Sequence, residues 1–330
     1  PSVLVFWTAS GIELHISASN LFVEVESIYG DLELWIDVMI DGELSQRVQL
    51  PRGGSRIPVF QGMDRDRARR VRLLRDTQAM EQDGKSVLRI LSIETDDDAV
   101  FAPVPEPVLQ LEFIGDSITS GEGAGLERQI EWAPVVFSAV DSYGYLTAEL
   151  LNARANILSS SGWGLYASWD GDTTHVLPPY YNEVCGLERG RDNEEAGAQR
   201  PWDFTSFRPD VIVVNLGTND SGALQNGDRW TREEYQSLFI DAAVSFLKIL
   251  REKNPDAYLL WAYGMLGNEM ADWIREAIRQ FRDLTDDAKV SYFEFANCDE
   301  SRLGARMHPN RLAHREAAAA LAEEIRRITG

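Results

Sequence analysis

Four short polar clusters carry residue types suited to acyl transfer. They are Ser117 in "FIGDSITSGEG", Gly162 in "SSSGWG", Asn219 in "VVNLGTND" and His308 in "GARMHPN". A serine hydroxyl becomes a useful nucleophile only when a base takes its proton. Histidine, with an ordinary pKa of about 6.5, is the natural base near neutral pH. The tetrahedral intermediate then carries an oxyanion, which needs preorganised donors. The backbone N–H groups of Ser117 and Gly162 and the side-chain amide of Asn219 offer three. Read alone, Ser117 is equally a helix N-cap, and Asn219 a turn residue. The chemistry depends on all four meeting. Asp116 reads as structural and Asp220 as a turn residue. His314 reads as packing, and His15 and His175 as surface or structural.

Such a meeting requires particular elements. From "VLQLEFIG" onward, apolar strand-like runs alternate with helical patterns. "ANILSSSG", "PDVIVVNLGTND", "AYLLWAYGM" and "VSYFEF" are the further strands. "DSYGYLTAELLNA", with Asp141 as its expected N-cap, is a helix, as are the stretches starting at Thr231, Glu269 and Arg311. The grammar is that of an α/β unit with a mostly parallel sheet and helices on both sides. Ligands in such sheets bind beyond the carboxyl ends of the strands, and the four clusters lie at or near such ends.

Before about residue 104 the period is two. Leu32, Leu34, Ile36, Val38 and Ile40 alternate with acidic or edge residues, the pattern of a half-buried strand. Asp41-Gly42 then suits a tight hairpin. "NLFVEVESIYG", "RRVRLLRDTQAM" and "KSVLRILSIET" repeat the theme, which suggests a β-sandwich. Pro103, Pro105 and Pro107 break it. The expected organisation is therefore a β-sandwich over 1–104 and an α/β domain over 105–330.

The four blocks, in this order and on these elements, resemble those of the SGNH or GDSL-type hydrolases. Together with the strand-rich first half, the Pro-rich joint and "WDFTSFRPDVIVVNLGTND", they are similar to carbohydrate esterase family 2. The resemblance implies a jelly-roll β-sandwich followed by a three-layer SGNH domain. It also implies an esterase that removes acetyl groups from plant polysaccharides such as xylan, mannan or glucomannan. Ser117 would be the nucleophile, His308 the base, and Gly162 and Asn219 the oxyanion partners. No metal or organic cofactor is implied. One position departs from the wider pattern: most SGNH enzymes carry Asp three residues before the histidine, and here it is Ala305. In a serine-protease triad, replacing the aspartate by asparagine costs about ten thousand-fold, so something must orient His308. Family 2 members often use a backbone carbonyl, so a Ser-His dyad is expected, with Asp299 or Glu300 as second choice.

The long connection after Gly162 is rich in aromatics. Trp163, Tyr166, Trp169, Tyr180 and Tyr181 are candidates to wall the cleft, where flat rings suit the apolar faces of sugars. Trp261, at the end of its strand, is another candidate for substrate contact. Two other readings share the same blocks: a lipase, thioesterase or arylesterase, and a carbohydrate-binding protein with a silent site, which Ala305 favours.

Composition bounds the partners. The chain has 330 residues, 44% hydrophobic, with 53 acidic against 32 basic side chains and a formal charge of -21. That field repels nucleic acid and anionic membranes and favours a neutral substrate. No apolar run reaches the roughly 18 residues of a membrane span, and no leader sequence is visible at Pro1, which leans the expectation to the cytoplasm over secretion. Cys185 and Cys298 read as two separate thiols, and no Cys/His spacing suggests zinc.

Overall fold

The computed structural model describes residues 2–126 and 129–330. The alternating first half forms nine strands: β1 (Val3–Val5), β2 (Gly11–Ser17), β3 (Leu21–Tyr29), β4 (Trp35–Ile40), β5 (Glu43–Gln49), β6 (Gly53–Phe60), β7 (Arg69–Arg75), β8 (Ser86–Thr95) and β9 (Val100–Ala102). They make two sheets, ordered β1-β8-β3-β6 and β5-β4-β7-β2-β9. Strands of period two bury one face, so the inward rows, including Ile16, Val23, Val25, Ile36, Val38, Ile57, Val71 and Leu88, close a common core. The β4–β5 hairpin turns through Asp41 (φ 54°) and Gly42 (φ 91°), the pair of left-handed residues that a two-residue turn between twisted strands needs.

β4 departs from the half-buried expectation. Its second face is covered as well: Asp37 is fully buried, and Met39 joins a core cluster of the second half. Burial, with the neighbouring Asp76 carboxylate, pushes the Asp37 pKa up to about 9. "RRVRLLRDTQAM" also departs from a simple strand. Pairing stops at Arg75, and residues 76–80 continue as an irregular segment that is buried throughout.

The second half contains β10 (Leu109–Gly115), α1 (Ser117–Ser120), α2 (Ala133–Val136), α3 (Tyr143–Leu150), β11 (Ala153–Ser159), α4 (Arg191–Ala196), β12 (Val211–Asn215), α5 (Thr218–Asn226), α6 (Arg232–Lys253), β13 (Tyr258–Tyr263), α7 (Ala271–Thr285), β14 (Val290–Glu294) and α8 (Arg311–Thr329). The sheet order is β11-β10-β12-β13-β14, and every one of these pairings is parallel. Because both faces are covered, the inner strands β12 and β13 read as nearly continuous apolar runs. Leu111, Phe113, Val211, Val213, Leu260 and Ala262 face α3 and α8. Ile114, Ile212, Val214, Leu259 and Trp261 face α6 and α7. The result is a three-layer α/β sandwich.

The α3 cap differs from expectation. Ser142, not Asp141, is the N-cap and accepts the Tyr145 N–H. The Asp141 carboxylate instead accepts the Ser138 hydroxyl and pairs with Arg311 at 3.0 Å. The α6 start is a full capping box between Thr231 and Glu234. Cys185 is buried, Cys298 half-buried, and both are free thiols. No helix among the described residues is long and apolar enough to cross a membrane.

Candidate active site

The β10 strand delivers its serine through a turn that only glycine fits. A Cβ on Gly115 would meet the Thr119 hydroxyl at 2.0 Å and the Asn215 carbonyl at 2.8 Å. Asp116 then caps α1 by accepting the Ile118 N–H at 3.0 Å, so the cap is not Ser117. That leaves the Ser117 hydroxyl free to turn towards His308, whose Nε2 lies 2.8 Å from Ser117 Oγ. The other ring nitrogen, Nδ1, lies 2.8 Å from the Arg306 carbonyl oxygen. A carbonyl only accepts, so Nδ1 carries the proton and Nε2 presents a lone pair to the serine.

The carbonyl is aimed by unusual backbone. Arg306 and Met307 hold φ of 52° and 57°. Non-glycine residues in this region store about 1–3 kcal/mol each, and such strain gathers at functional sites. Asp299 and Glu300, the acidic candidates, do not supply the orienting group. Asp299 accepts the Ser301 N–H and O–H at 2.8 and 2.6 Å, and Glu300 is exposed.

The sequence reading missed Glu122. It lies inside "SGEG" and is fully buried. Its Oε1 is 2.7 Å from the Arg306 guanidinium, its Oε2 is 3.8 Å from His308 Nε2, and Ser161 donates its hydroxyl to Oε2. One carboxylate thus ties the residue before the oxyanion loop to the residue whose carbonyl holds the imidazole. Only spacing hinted at it, since Glu122 sits between Gly121 and Gly123, which are both left-handed (φ 77° and 87°).

The candidate oxyanion donors converge at the same strand ends. Ser117 is the first residue of α1, where no intrahelical acceptor exists for its N–H. Gly162 (φ 80°) sits in the turn after β11, and its N–H has no protein acceptor among the described residues. Asn219, on the first turn of α5, gives one amide hydrogen to the Trp163 carbonyl at 2.8 Å, and its nitrogen also lies 3.3 Å from Asp116 Oδ2. Burial pushes the Asp116 pKa up to about 7, with the Asp220 and Glu122 carboxylates adding to the rise. Asp220 is more than a turn residue: its buried carboxylate accepts the N–H groups of Leu165, Tyr166 and Ala167 at 2.8–3.1 Å and fixes the loop leaving Gly162.

The aromatic candidates divide. Trp169 is 56% exposed, and its ring lies 3.1 Å from the position a Gly162 Cβ would take, so it stands beside the oxyanion loop. Trp163 and Trp261 do not face a cleft. Trp163 is 3% exposed within the hydrophobic core, and Trp261 is 1% exposed with its indole N–H on the Leu216 carbonyl. Trp261 lies in β13 on the sheet face that α6 and α7 cover, and a strand buried on two sides gives no sequence clue to that choice, while Trp163 packs in its loop against His175 and Tyr180. Tyr181 is also buried, its hydroxyl donating to Glu112 at 2.6 Å, while Tyr166 and Tyr180 are half-buried. His314 is wholly buried and accepts the Tyr143 N–H through Nδ1. His15 lies in β2 beside Glu13, and His175 stacks on Trp163.

Comparison with known proteins agrees with this geometry. The profile of the GDSL-like lipase/acylhydrolase family matches residues 113–316. An acetyl xylan esterase from the rumen bacterium Butyrivibrio proteoclasticus is 35% identical, with a TM-score of 0.93 over 100% of this chain and 95% of that one. A family two carbohydrate esterase from Clostridium thermocellum, solved with cellohexaose, is 24% identical with a TM-score of 0.84 over 99% of this chain and 94% of that one, a likeness of fold. An acetylxylan esterase / glucomannan deacetylase from Cellvibrio japonicus is 26% identical over 95% of this chain and 81% of its own length. A cellulase/esterase from Acetivibrio thermocellus is also 26% identical over 98% of this chain, which spans only 37% of that relative. With the serine, histidine and glycine blocks at the carboxyl edge of a parallel sheet, the chain belongs to the GDSL-like lipase/acylhydrolase family, in the two-part architecture of the family two carbohydrate esterases.

Proposed function

We propose that this protein is a serine esterase that removes O-acetyl groups from plant polysaccharides such as xylan and glucomannan. The observation that carries the reading is the doubly engaged imidazole: Nε2 at 2.8 Å from Ser117 Oγ and Nδ1 at 2.8 Å from the Arg306 carbonyl. Ser117 attacks the acetyl carbonyl while His308 takes its proton. The Ser117 and Gly162 N–H groups stabilise the oxyanion, joined by the Asn219 amide hydrogen that rests on the long 3.3 Å contact with Asp116 Oδ2 and is given up to the oxyanion as its charge develops. His308 then protonates the departing sugar oxygen. Water, activated by the same imidazole, attacks the acetyl-enzyme and releases acetate. The Arg306 carbonyl does the orienting that an aspartate does in a triad, and Glu122 supplies the negative charge near the imidazolium.

The substrate class rests on the relatives named for acetylated xylan and glucomannan. A formal charge of -21 also favours a neutral ester over an anionic one. The exposure of Trp169 beside Gly162 supports a role for its ring in stacking on a sugar.

The test is acetate release from acetylated xylan and glucomannan, with Ser117→Ala beside the wild type. Release abolished by the substitution is expected. Rapid turnover of palmitoyl esters without acetate release would replace the substrate. Binding to the polymers without hydrolysis of any ester would leave a carbohydrate-binding protein.

A further inference from the structure

The segment leaving β7 is irregular yet wholly buried. Asp76, Thr77, Gln78, Ala79 and Met80 are all 2% exposed or less, yet none belongs to a helix or strand. Buried irregular backbone must find partners for its polar groups. Here they are supplied individually. The fully buried Arg75 donates to the Thr77 carbonyl at 3.1 Å and to the Gln78 carbonyl at 2.8 Å, with the Glu188 carboxylate 3.9 Å away. Asp76 accepts the Ala139 N–H at 2.8 Å, and Met80 donates its N–H to Glu188 at 2.8 Å. The strap is thus held at both ends, which fixes the side chain at its middle.

That side chain is Gln78. Its amide oxygen accepts the Ser161 N–H at 2.8 Å and the Ser120 hydroxyl at 2.8 Å. The assignment of oxygen is not arbitrary, because a backbone N–H requires an acceptor. Ser161 immediately precedes Gly162, and Ser120 ends the short helix that begins with Ser117. One amide from the strand-rich half therefore bridges the two loops whose N–H groups face the oxyanion.

We infer that Gln78 is a positioning residue for the oxyanion site, supplied by the N-terminal β-sandwich half to the hydrolase half. The inference rests on the esterase reading and deepens it. Gln78 touches neither substrate nor the reacting atoms. It fixes the separation between the Ser117 and Gly162 amides, which must both point at one oxygen. Displacing such a donor by about 1 Å costs on the order of a hundredfold in rate.

The experiment uses the full chain and three substitutions. Gln78→Met keeps the length and apolar bulk but loses the acceptor. Gln78→Glu restores an acceptor oxygen. Thr77→Val is the control: it alters the same buried strap at a hydroxyl that has no hydrogen-bond partner among the described residues. With 4-nitrophenyl acetate, Gln78→Met should lose at least tenfold in kcat with KM nearly unchanged. It should lose the same factor in affinity for a boronic acid that mimics the tetrahedral intermediate. Gln78→Glu should recover part of both losses, and Thr77→Val should match the wild type. If Gln78→Met does not fold, Gln78→Asn, which withdraws the same amide by one methylene, is expected to show the same paired loss. An active wild type with a Gln78 variant unchanged in kcat and boronate affinity, or a Thr77→Val loss equal to that of Gln78→Met, overturns the positioning role alone. A wild type that hydrolyses no ester overturns the esterase reading, and this inference with it.

Discussion

Gly123 lies directly against His308: a Cβ placed on Gly123 would sit 2.7 Å from the His308 Cβ and 3.0 Å from its carbonyl oxygen. Its φ of 87° adds the usual left-handed penalty of about 1–2 kcal/mol for any other residue. Gly123→Ala should therefore push the His308 loop away from Ser117. The expected outcome is at least a tenfold loss in kcat on 4-nitrophenyl acetate together with a lower thermal midpoint. Wild-type kcat in a folded variant would show that the imidazole is held from elsewhere.

Glu122→Gln keeps shape and removes charge. A unit charge at about 4 Å is worth up to about 4 kcal/mol at an effective dielectric of 20, but Arg306, paired to the same carboxylate at 2.7 Å, offsets part of it. A ten- to hundredfold fall in kcat with little change in KM is expected from steady-state kinetics. An unaltered kcat would assign Glu122 to stability alone.

Asn219→Ala removes the proposed side-chain oxyanion donor. A single such donor is worth about a hundred- to a thousandfold in rate. Loss on that scale, in kcat rather than KM, is the expected kinetic signature. A change confined to KM would remove Asn219 from the transition state.

Trp169→Ala separates sugar binding from ester chemistry. The residue is exposed, so the fold should be unaffected. Losing one stacking face is worth about 1 kcal/mol, near fivefold. The rise should appear in KM for acetylated polysaccharide and be absent for 4-nitrophenyl acetate. Equal effects on both substrates would argue against a sugar platform.

Glu112 makes a pH prediction. It is buried in β10, accepting from Asn156 and Tyr181, and burial pushes its pKa up to about 7. Between an unfolded value near 4.5 and that folded value, the native state holds the extra proton. Stability contributed by this group is therefore present at low pH and lost as pH rises towards 7, by up to about 1.4 kcal/mol per unit. Glu112→Gln should flatten that decline in denaturant unfolding measured from pH 5 to pH 7. An unchanged slope would mean that Glu112 ionises normally.

The legible parts of the molecule were those with local causes. Period-two alternation gave the sandwich strands, and the apolar run at Val211–Leu216 gave a strand covered on both faces. The Ser117, Gly162, Asn219 and His308 blocks stood out because ligands of open parallel sheets bind at the carboxyl ends of the strands, and the structure brings Ser117 Oγ within 2.8 Å of His308 Nε2. What stayed hidden depends on contacts between distant residues. Trp261 follows a strand pattern that is apolar on both faces, so its sequence could not say that the ring turns into the core. Glu122 was overshadowed by its flanking glycines. Gln78 looked like the tail of a strand, because the Ser120 hydroxyl and Ser161 N–H that its side chain accepts, and the Glu188 carboxylate that holds the neighbouring Met80 N–H, come from separate parts of the chain.

The N-terminal half also reaches into the other layer. Phe6, Trp7, Ala79 and Val87 lie in the same hydrophobic cluster as the inner faces of α6 and α7. Cutting between the halves would leave a hole in that cluster and take from the buried Arg75 its Glu188 counter-charge, 3.9 Å away. Denaturation should therefore be a single cooperative event, with no stage at which the hydrolase half stands alone.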